Sequence, residues 1–188
     1  ITSDAMRLPD SSMKQIIQAP TTIEVMDLAT ALHKHDELIK KYFMTIVQPT
    51  NSILALHTGV VQDCIVIHIP EGTVEKNPIK ISSPLHASFS HIIVIAEPNS
   101  RATILDLNLP NAFADDDFSS RVVEIVAKEG SSIAYASVNT SHGHSFIAKQ
   151  ANVDKDASVQ WIECSFNSNI IHANLTARLA GEGSSTDL

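Results

Sequence analysis

The chain has 188 residues, of which 44% are hydrophobic and 18% are charged, and its formal net charge is −8. This composition is typical of a folded globular domain and excludes a largely disordered chain. The acidic balance argues against a nucleic-acid or membrane partner, because nucleic acids and anionic membranes usually require a basic face. No run reaches the roughly 18 apolar residues that a membrane-spanning helix needs.

The N-terminal residues and the thiols indicate the cellular compartment. Residues 1–4 lack the basic and apolar regions of a secretory signal. The two cysteines, Cys64 and Cys164, lie 100 residues apart, and in a chain without such a signal they are expected to be reduced. We therefore predict a cytoplasmic protein. Because the first residue is not Met, we expect a processed chain or a piece of a longer one.

Residues 1–50 predict an N-terminal helical segment. Thr21 and Glu24 have the spacing of a capping box, in which two side chains satisfy free N–H groups of a first helical turn. Apolar residues then recur with helical period at Val25, Leu28, Ala29 and Leu32. Asp36 is predicted to cap a second helix. The apolar face of that helix would consist of Leu38, Ile39, Tyr42 and Phe43.

From residue 51 to the end, short β-rich runs replace the helical pattern. In the central stretch Cys64–Ile81, the residues Ile65, Ile67 and Ile69 alternate on one face of a strand. The same pattern, a β-rich run, a turn of small residues and another β-rich run, recurs along the chain. The predicted strands are Ile53–His57, Cys64–Ile69, Ile79–Ser82, His91–Ala96, Ala102–Leu107, Val122–Ala127, Ser132–Asn139, Ser145–Ala151, Ser158–Phe166 and Ile170–Leu179.

The turns between paired strands repeat at near-constant intervals. Their central residues are 72, 100, 130, 156 and 183, so the intervals are 28, 30, 26 and 27 residues. The longest interval precedes residue 130 and contains an acidic insertion at 110–117, expected to be a solvated loop. Such a period indicates stacked strand–turn–strand units, each covering the apolar face of the next. Periodicity leaves a parallel β-helix and a β-sandwich open, and the aromatic content of 5% favours the β-helix over a barrel.

Several short motifs follow one another along the chain in an order that a known protein family shares. They are Asp36–Phe43, Ile53–His57, Ile67–Gly72, Asn77–Ile79, His91–Glu97, Val122–Ile125, Gly130–Tyr135, Ala157–Trp161 and Leu179–Gly183. From Ile17 to Gly183 this order resembles the SufB/SufD family of iron–sulfur cluster assembly proteins, and within it the SufD branch. The resemblance covers the N-terminal and central parts of such proteins.

The resemblance implies an all-β fold, a right-handed parallel β-helix over residues 51–188 behind the N-terminal helical segment. It implies a non-enzymatic scaffold subunit of a SufBCD-type complex, with a SufB-like subunit and a SufC-like ATPase as partners. A homodimer through the C-terminal coils is the other expected association. The full complex would handle an iron–sulfur cluster, and no cofactor is expected in this chain.

Two features depart from the family pattern. Asp63-Cys64 stands where the family usually has a Gly before the buried strand. The family continues past the motif at 181–183 into further coils and an ATPase-binding helical region, so we expect the β-helix to be truncated at its C-terminal end. The His and Cys of the family's assembly interface lie in that later part, and no such residue is transferred to this chain.

Histidines and cysteines are the main candidates for site chemistry. His142 and His144 flank Gly143 and would share a strand face as metal ligands, but small polar neighbours favour a plain turn. Cys164 alternates with Ile162 and Phe166 and is interpreted as a small core residue. A thiolate–imidazole pair of Cys164 with His172 is the alternative. Cys64 is likewise interpreted as a core residue.

The remaining polar clusters suggest no site. His33 and His35 do not share a helical face, and they are predicted to mark a helix C-terminus. Residues 115–117, three aspartates, lack the ligand spacing of a calcium loop. No phosphate loop, nucleophile elbow, paired-Cys zinc pattern or metalloprotease helix occurs in the sequence. We therefore assign no catalytic, cofactor-binding or metal residue and predict that the chain is not an enzyme.

Two other functions compete with that of a scaffold. A carbohydrate-active β-helix, such as a polysaccharide lyase, would need clustered acids with calcium and a basic residue on one strand face. A small cupin-like metal-binding barrel would use His142 and His144 with a further His and an acid. The sequence displays neither constellation, so both are weaker than the scaffold.

Overall fold

The structure, a computed structural model, describes residues 16–61, 63–82, 89–108, 118–140, 143–166 and 169–188. It is a parallel β-solenoid of about four turns with short N-terminal helices, and 56% of the described residues lie in strands. The predicted parallel β-helix is therefore confirmed. Among the described residues, none of the helices has the length and apolarity needed to cross a membrane.

The described strands form two six-stranded sheets that face each other. The first sheet contains β1 Ile16–Gln18, β4 Ile79–Ser82, β6 Arg101–Asn108, β8 Ser132–Thr140, β10 Ser158–Phe166 and β12 Ser185–Asp187, in this spatial order. The second contains β11 Ile170–Leu179, β9 His144–Val153, β7 Phe118–Ala127, β5 Phe89–Ala96, β3 Asp63–Ile69 and β2 Glu24–Asp27. Neighbours run parallel, except that β1 pairs with β4, and β2 with β3, antiparallel.

The main core lies between the two sheets. Ile65, Ile67 and Ile69 of β3 point into it and are fully buried, as the alternation in the sequence predicts. The opposite face of β3 is also covered, which is why Cys64 and Val66 are buried as well. Parallel strands covered on both faces read as continuous apolar runs, and the run from β3 to β5 has this cause.

The repeating turns stack on one another. The residue with left-handed backbone in each turn is Gly72, Asn99, Gly130, Asp156 and Gly183, with φ between 54° and 72°. In four successive turns the amide of this residue donates to a carbonyl of the following turn, at 2.9 Å in each case. The predicted repeat is therefore a hydrogen-bonded stack. In the second turn the left-handed residue is Asn99, one position before the predicted centre.

Three helices lie on the outer face of the second sheet. They are α1 Leu28–Lys34, α2 Asp36–Tyr42 and α3 Ser52–Val60. Ala31 of α1 and Ile39 of α2 pack on Cys64 and Ile93 of β3 and β5. Leu54 of α3 packs with Val47, Val122 and Phe146 in a separate cluster. The N-terminal part thus covers one face of the solenoid, and the predicted domain division at residue 51 stays a prediction.

The predicted strand Ile53–His57 is wrong, because these residues lie within α3. The side chain of Asn51 caps this helix by accepting the amide of Leu54 at 2.9 Å. Leu54 and His57 are buried three residues apart on one helical face, while Leu56 is 51% exposed. Helical spacing and a strong cap outweigh the β-branched start of the run.

The predicted capping box of Thr21 and Glu24 is also wrong. Glu24 lies in β2, and Asp27 caps α1 by accepting the amide of Thr30 at 2.7 Å. Pairing with β3 keeps Val25 in the strand, so the predicted apolar stripe does not form. In α1 the buried residue is Ala31, whereas Leu32 is 40% exposed.

The second predicted helix and the later predicted strands agree more closely with the structure. The second helix exists, but His35 rather than Asp36 occupies its cap position. The nine predicted strands from Cys64–Ile69 onward are confirmed, with ends that differ by at most four residues. The sequence does not predict the short strands β1, β2 and β12, and the insertion at 110–117 lies outside the described residues.

Candidate functional site

Charged side chains point into the solenoid at the end of the strands remote from the stacked turns. Asp106, Arg121 and Lys149 are at most 5% exposed. Each continues the inward alternation of its strand, so that Asp106 follows Ile104 in β6 and Arg121 precedes Val123 in β7. The interior is therefore apolar beside the turns and polar at the other end. This polar region is the candidate functional site.

Strand register assembles the site from two facing columns. In the first sheet, Asp106, Ser137 and Glu163 are direct neighbours across β6, β8 and β10. In the second sheet, Ser90 is the neighbour of Arg121 across β5 and β7. Parallel pairing fixes which residues lie side by side, and Lys149 lies beside Val123, two positions further along its strand than the neighbour of Arg121.

The Arg121–Asp106 pair bridges the two sheets. The guanidinium of Arg121 donates from Nε to Asp106 Oδ2 at 2.9 Å and from Nη2 to Oδ1, a bidentate arrangement. Its Nη1 donates to the hydroxyl of Ser90 at 2.9 Å. The Tyr135 hydroxyl donates to Asp106 Oδ2 at 2.7 Å. Bidentate geometry with extra donors is what a buried ion pair needs to offset its loss of hydration.

Lys149 forms a second group in the next turns. Its Nζ donates to Ser137 Oγ at 2.6 Å and to Glu163 Oε2 at 2.5 Å. The Ser137 hydroxyl in turn donates to the same Glu163 oxygen. The Lys149 ammonium lies 5.0 Å from the ring centre of Tyr135, so this tyrosine links the two groups.

Burial and the neighbouring opposite charges act in opposite directions on the pKa values of Asp106 and Lys149. Burial alone would raise the pKa of Asp106, but the charges of Arg121 and Lys149 outweigh it and hold that pKa below its ordinary value. Burial lowers the pKa of Lys149, and Asp106 and Glu163 offset only part of this effect. Burial and the nearby Asp106 carboxylate raise the pKa of Tyr135 well above its ordinary value.

The buried charges around Asp106 and Lys149 leave no open space between them. The recess lined by Asp106, Arg121, Ser137, Lys149 and Glu163 has no room for a water molecule. A substrate therefore cannot enter this recess without moving a side chain. The arrangement joins the two sheets through the Arg121–Asp106 and Lys149–Glu163 pairs.

A second buried network joins the N-terminal segment to the solenoid. Glu124 points outward from β7 and accepts the backbone amides of Met44 at 2.7 Å, Ile46 at 2.9 Å and Val47 at 2.8 Å. The Nε2 of His91 lies 3.0 Å from the same carboxylate. Glu124 is fully buried, so a single carboxylate satisfies three free amides of the segment after α2.

The chain of contacts continues from His91 to α3. Its Nδ1 lies 3.3 Å from His57 Nε2, and His57 Nδ1 lies 2.9 Å from the hydroxyl of Ser120. A neutral tautomer of each ring satisfies all three contacts. Burial, with a smaller effect of His91, lowers the pKa of His57 to about 3, which keeps this ring neutral.

Two family models match the chain. The model described as "SUF system FeS cluster assembly, SufBD core domain" matches residues 79–188, more than half of the chain. The chain belongs to the SufBD family. The model of the "SufBD protein N-terminal region" matches residues 8–81. The resemblance to the SufB/SufD family seen in the sequence is therefore confirmed.

Similar proteins come from Bacillus subtilis and Staphylococcus. Iron-sulfur cluster assembly protein SufD of Bacillus subtilis (strain 168) is 23% identical over 86% of this chain and 39% of its own length. The SufB protein of the same organism is 21% identical over 92% of this chain and 38% of its own length. A SufBD family protein of Staphylococcus saprophyticus is 22% identical over 84% and 35%, respectively. The SufBD chain thus spans less than two fifths of these relatives.

The structure describes only one of the two histidines that the sequence analysis considered as metal ligands. His144 is the first residue of β9 and is half-buried, whereas His142 lies outside the described residues. The interpretation of this pair as a polar turn stays a prediction. The three aspartates at 115–117 also lie outside the described residues, so their interpretation as a solvated loop stays a prediction.

The interpretation of Cys164 as a core residue is wrong. It shares a strand face with Ile162 and Phe166, as predicted, but both are more than half exposed, so this is the outer face. The inward face of β10 carries Trp161 and Glu163 instead. His172 lies on the outer face of the other sheet and stacks on Phe146 at 5.1 Å, so the two outer faces keep Cys164 and His172 apart.

Two other predictions are confirmed. Cys64 is buried among Met26, Val66 and Ile93, and burial raises the pKa of its thiol far above the ordinary value. His33 lies in the last turn of α1 and His35 at its C-terminal cap, as the dipole argument predicts.

Sequence reasoning missed the interior charges and Glu124. One signal for the interior was present: a charged residue at an inward position of an apolar alternation, as with Lys149 between Ile147 and Ala151. Such residues are almost never buried without a partner. No local signal identifies Glu124, because the amides that it accepts lie about 80 residues earlier in the chain.

Proposed function

We propose that this chain is a non-enzymatic scaffold subunit of iron–sulfur cluster assembly, resembling SufD in a cytoplasmic SufBCD-type complex. Its partners would be a SufB-like subunit and a SufC-like ATPase, with a homodimer through the C-terminal coils as the alternative association. The chain itself would hold no cofactor, and the cluster would be handled by the assembled complex. The family membership supports the pathway. The identities to SufD and SufB, 23% and 21%, do not separate the two branches. The SufD-like assignment therefore rests on the order of the motifs.

The last described coil is the observation that supports the proposed association. Within the described residues, β11 pairs with β9 on one side only, over all ten positions of its length. The neighbouring β10 pairs with β12 over Ser158–Gln160 alone. Unpaired backbone groups along a flat strand are a template for a further strand.

Apolar side chains on the same coil support a covered surface. Ile162 and Phe166 of β10 and Ile170 and Leu179 of β11 are each more than half exposed. Elsewhere in the described solenoid most large aliphatic residues are fully buried. In a longer chain such a strand edge and apolar surface would be covered by a further coil, and otherwise by a partner subunit.

Co-purification of the full-length protein tests the proposal. Tagged protein is isolated from its native cells, and the bound proteins are identified by mass spectrometry. We expect a SufB-like subunit and a SufC-like ATPase in stoichiometric amounts. A protein that is isolated alone, or one that turns over a substrate by itself, contradicts the scaffold.

A variant pair tests the surface. Ile162→Asp places a charge on the last described coil, and Val74→Asp places the same charge at a residue that is 61% exposed beside the first stacked turn. We expect Ile162→Asp to lose the partner subunits and Val74→Asp to retain them, with unchanged circular dichroism for both. Retention of all partners by Ile162→Asp contradicts association through this coil.

A further inference from the structure

A glutamate and two histidines converge on the outer surface of the second sheet. His35 Nε2 and His68 Nδ1 each lie 3.0 Å from Oε2 of Glu24. One ligand atom from each residue can be chosen so that all three lie within 4.8 Å of one another. The two imidazole rings are 5.2 Å apart, centre to centre. The three side chains are 16–42% exposed, so an ion from solution can reach them.

The fold holds each of these residues from a different element. Glu24 and His68 are direct partners in the antiparallel pair of β2 and β3, which places their side chains on the same face. His35 is the residue between α1 and α2, and its amide donates to Ala31. The convergence therefore joins a strand, a helix junction and the first full strand of the solenoid.

We propose that Glu24, His35 and His68 bind a divalent first-row transition metal ion, with Zn²⁺ as the best-suited occupant. Imidazole nitrogens and a carboxylate oxygen are ordinary ligands for such ions. Bonds of about 2.0–2.1 Å in a tetrahedral site separate neighbouring ligand atoms by roughly 3.3 Å. The 3.0 Å separations need only a few tenths of an ångström of adjustment. The fourth position is left for water.

A carboxylate behind His68 is the second observation. The Nε2 of His68, on the ring edge away from Glu24, lies 3.2 Å from Glu97 Oε1. Glu97 is itself held by Lys128, whose Nζ donates to both of its oxygens at 2.6 and 2.7 Å. A metal-binding histidine typically donates its other ring N–H to such a carboxylate, which fixes the tautomer and turns the free nitrogen towards the ion.

The ion would act as a clamp. It would tie β2 and the junction of α1 and α2 to β3, and so fix the N-terminal segment on the solenoid. This role requires no cluster chemistry and does not depend on the proposed scaffold function, so either can fail without the other.

Metal titration of the purified full-length protein tests the site. The protein is stripped with chelator and titrated with Zn²⁺ by calorimetry, and Co²⁺ is used to record visible absorption from its ligand field. We expect wild type to bind one equivalent more than His35→Ala, His68→Ala or Glu24→Gln. His33→Ala is the matched control, because His33 is an exposed histidine in the last turn of the same helix and outside the cluster. It should bind as wild type does.

Glu97→Gln tests the geometry rather than the ligand count. All three ligands remain, and we expect Zn²⁺ affinity to fall about 10-fold or more. Thermal unfolding gives a readout without titration. Zn²⁺ should raise the unfolding temperature of wild type and His33→Ala but not of Glu24→Gln. Circular dichroism of the metal-free variants verifies folding, and His35→Ala, at a more exposed position, carries the test if His68→Ala is unfolded. Equal stoichiometry and affinity in wild type and the folded ligand variants would overturn the proposal.

Discussion

The carboxylate of Glu124 provides the most direct test of how the N-terminal segment is attached. The substitution Glu124→Gln keeps the shape of the side chain but replaces one oxygen by an NH₂ group. Oε1 accepts the amides of Ile46 and Val47, and Oε2 accepts the amide of Met44 and faces His91. If the NH₂ group takes the place of Oε1, the amides of Ile46 and Val47 face a donor. If it takes the place of Oε2, the amide of Met44 faces a donor, while Nε2 of His91 can accept in its other tautomer.

The cost follows from the burial of this site. Glu124 and His91 are fully buried, so water cannot replace the lost acceptor. Leaving a buried donor without a partner costs about 1–3 kcal/mol, so one or two such donors give roughly 1–6 kcal/mol. This is a large fraction of the total stability of a single domain.

Urea unfolding and amide hydrogen exchange measure the effect at two levels. Unfolding gives the loss of global stability, and exchange reports the backbone amides of Met44, Ile46 and Val47 individually. We expect these three amides to lose protection in Glu124→Gln before the strands of the solenoid do, because the carboxylate is their acceptor.

Glu71→Gln is the matched control, since Glu71 is exposed in the first stacked turn. Its unfolding free energy should change by no more than about 0.5 kcal/mol. If Glu124→Gln unfolds at the same urea concentration as wild type, with unchanged exchange of the three amides, the reasoning about this anchor is refuted.

The stacked turns, the buried charge pair and the two thiols each give a further test. Gly72→Ala and Gly130→Ala both place a Cβ on a left-handed residue, at a cost of about 1–2 kcal/mol. In urea unfolding, Gly130→Ala should lose more free energy of unfolding than Gly72→Ala. The new Cβ at residue 130 would lie 2.6 Å from Oδ1 of Asn99 in the neighbouring turn, whereas a Cβ at residue 72 meets open space. Equal losses of unfolding free energy would contradict the stacking of the turns. Asp106→Asn leaves a buried guanidinium without its counter-charge and should cost about 3–5 kcal/mol. Folding holds the pKa of Asp106 below its ordinary value of 3.8, so the unfolded chain binds the proton first. Wild type should therefore lose stability as the pH falls below about 4, and Asp106→Asn should show a shallower loss between pH 5 and 2. Native alkylation should modify Cys164, which is partly exposed, and reach Cys64 only after unfolding, because burial raises its pKa; mass spectrometry that finds both labelled at equal rates would contradict the packing.

Most of the solenoid could be predicted because its signals are local. Alternation in Ile65, Ile67 and Ile69 identifies a strand, and turns with Gly or Asn at regular intervals identify the repeat. What could not be predicted depends on partners distant in sequence. Val25 is compatible with a helix by spacing, and it lies in β2 because β3, about 40 residues later, pairs with it.

The candidate sites show the same division more sharply. Alternation groups Cys164 with Ile162 and Phe166, but it cannot tell which face of β10 is inside, and the apolar group proves to be the outer one. Lys149 is placed inward by alternation, yet its partner Glu163 is known only once β9 and β10 face each other. Contacts such as Glu24 with His68 exist because two strands share a register, which no short motif records.

The position of the buried charges explains how a repetitive chain selects one register. A slip by one residue in a strand turns every side chain to the opposite face. In β7 such a slip would remove Arg121 from Asp106 and Ser90 and leave Asp106 in the interior without its counter-charge. The cost of this unpaired charge, about 3–5 kcal/mol, adds to the loss of apolar burial and so disfavours the shifted register. The apolar interior beside the turns stabilises the packing of the two sheets, and the charged pairs at the other end of the strands disfavour a shifted register.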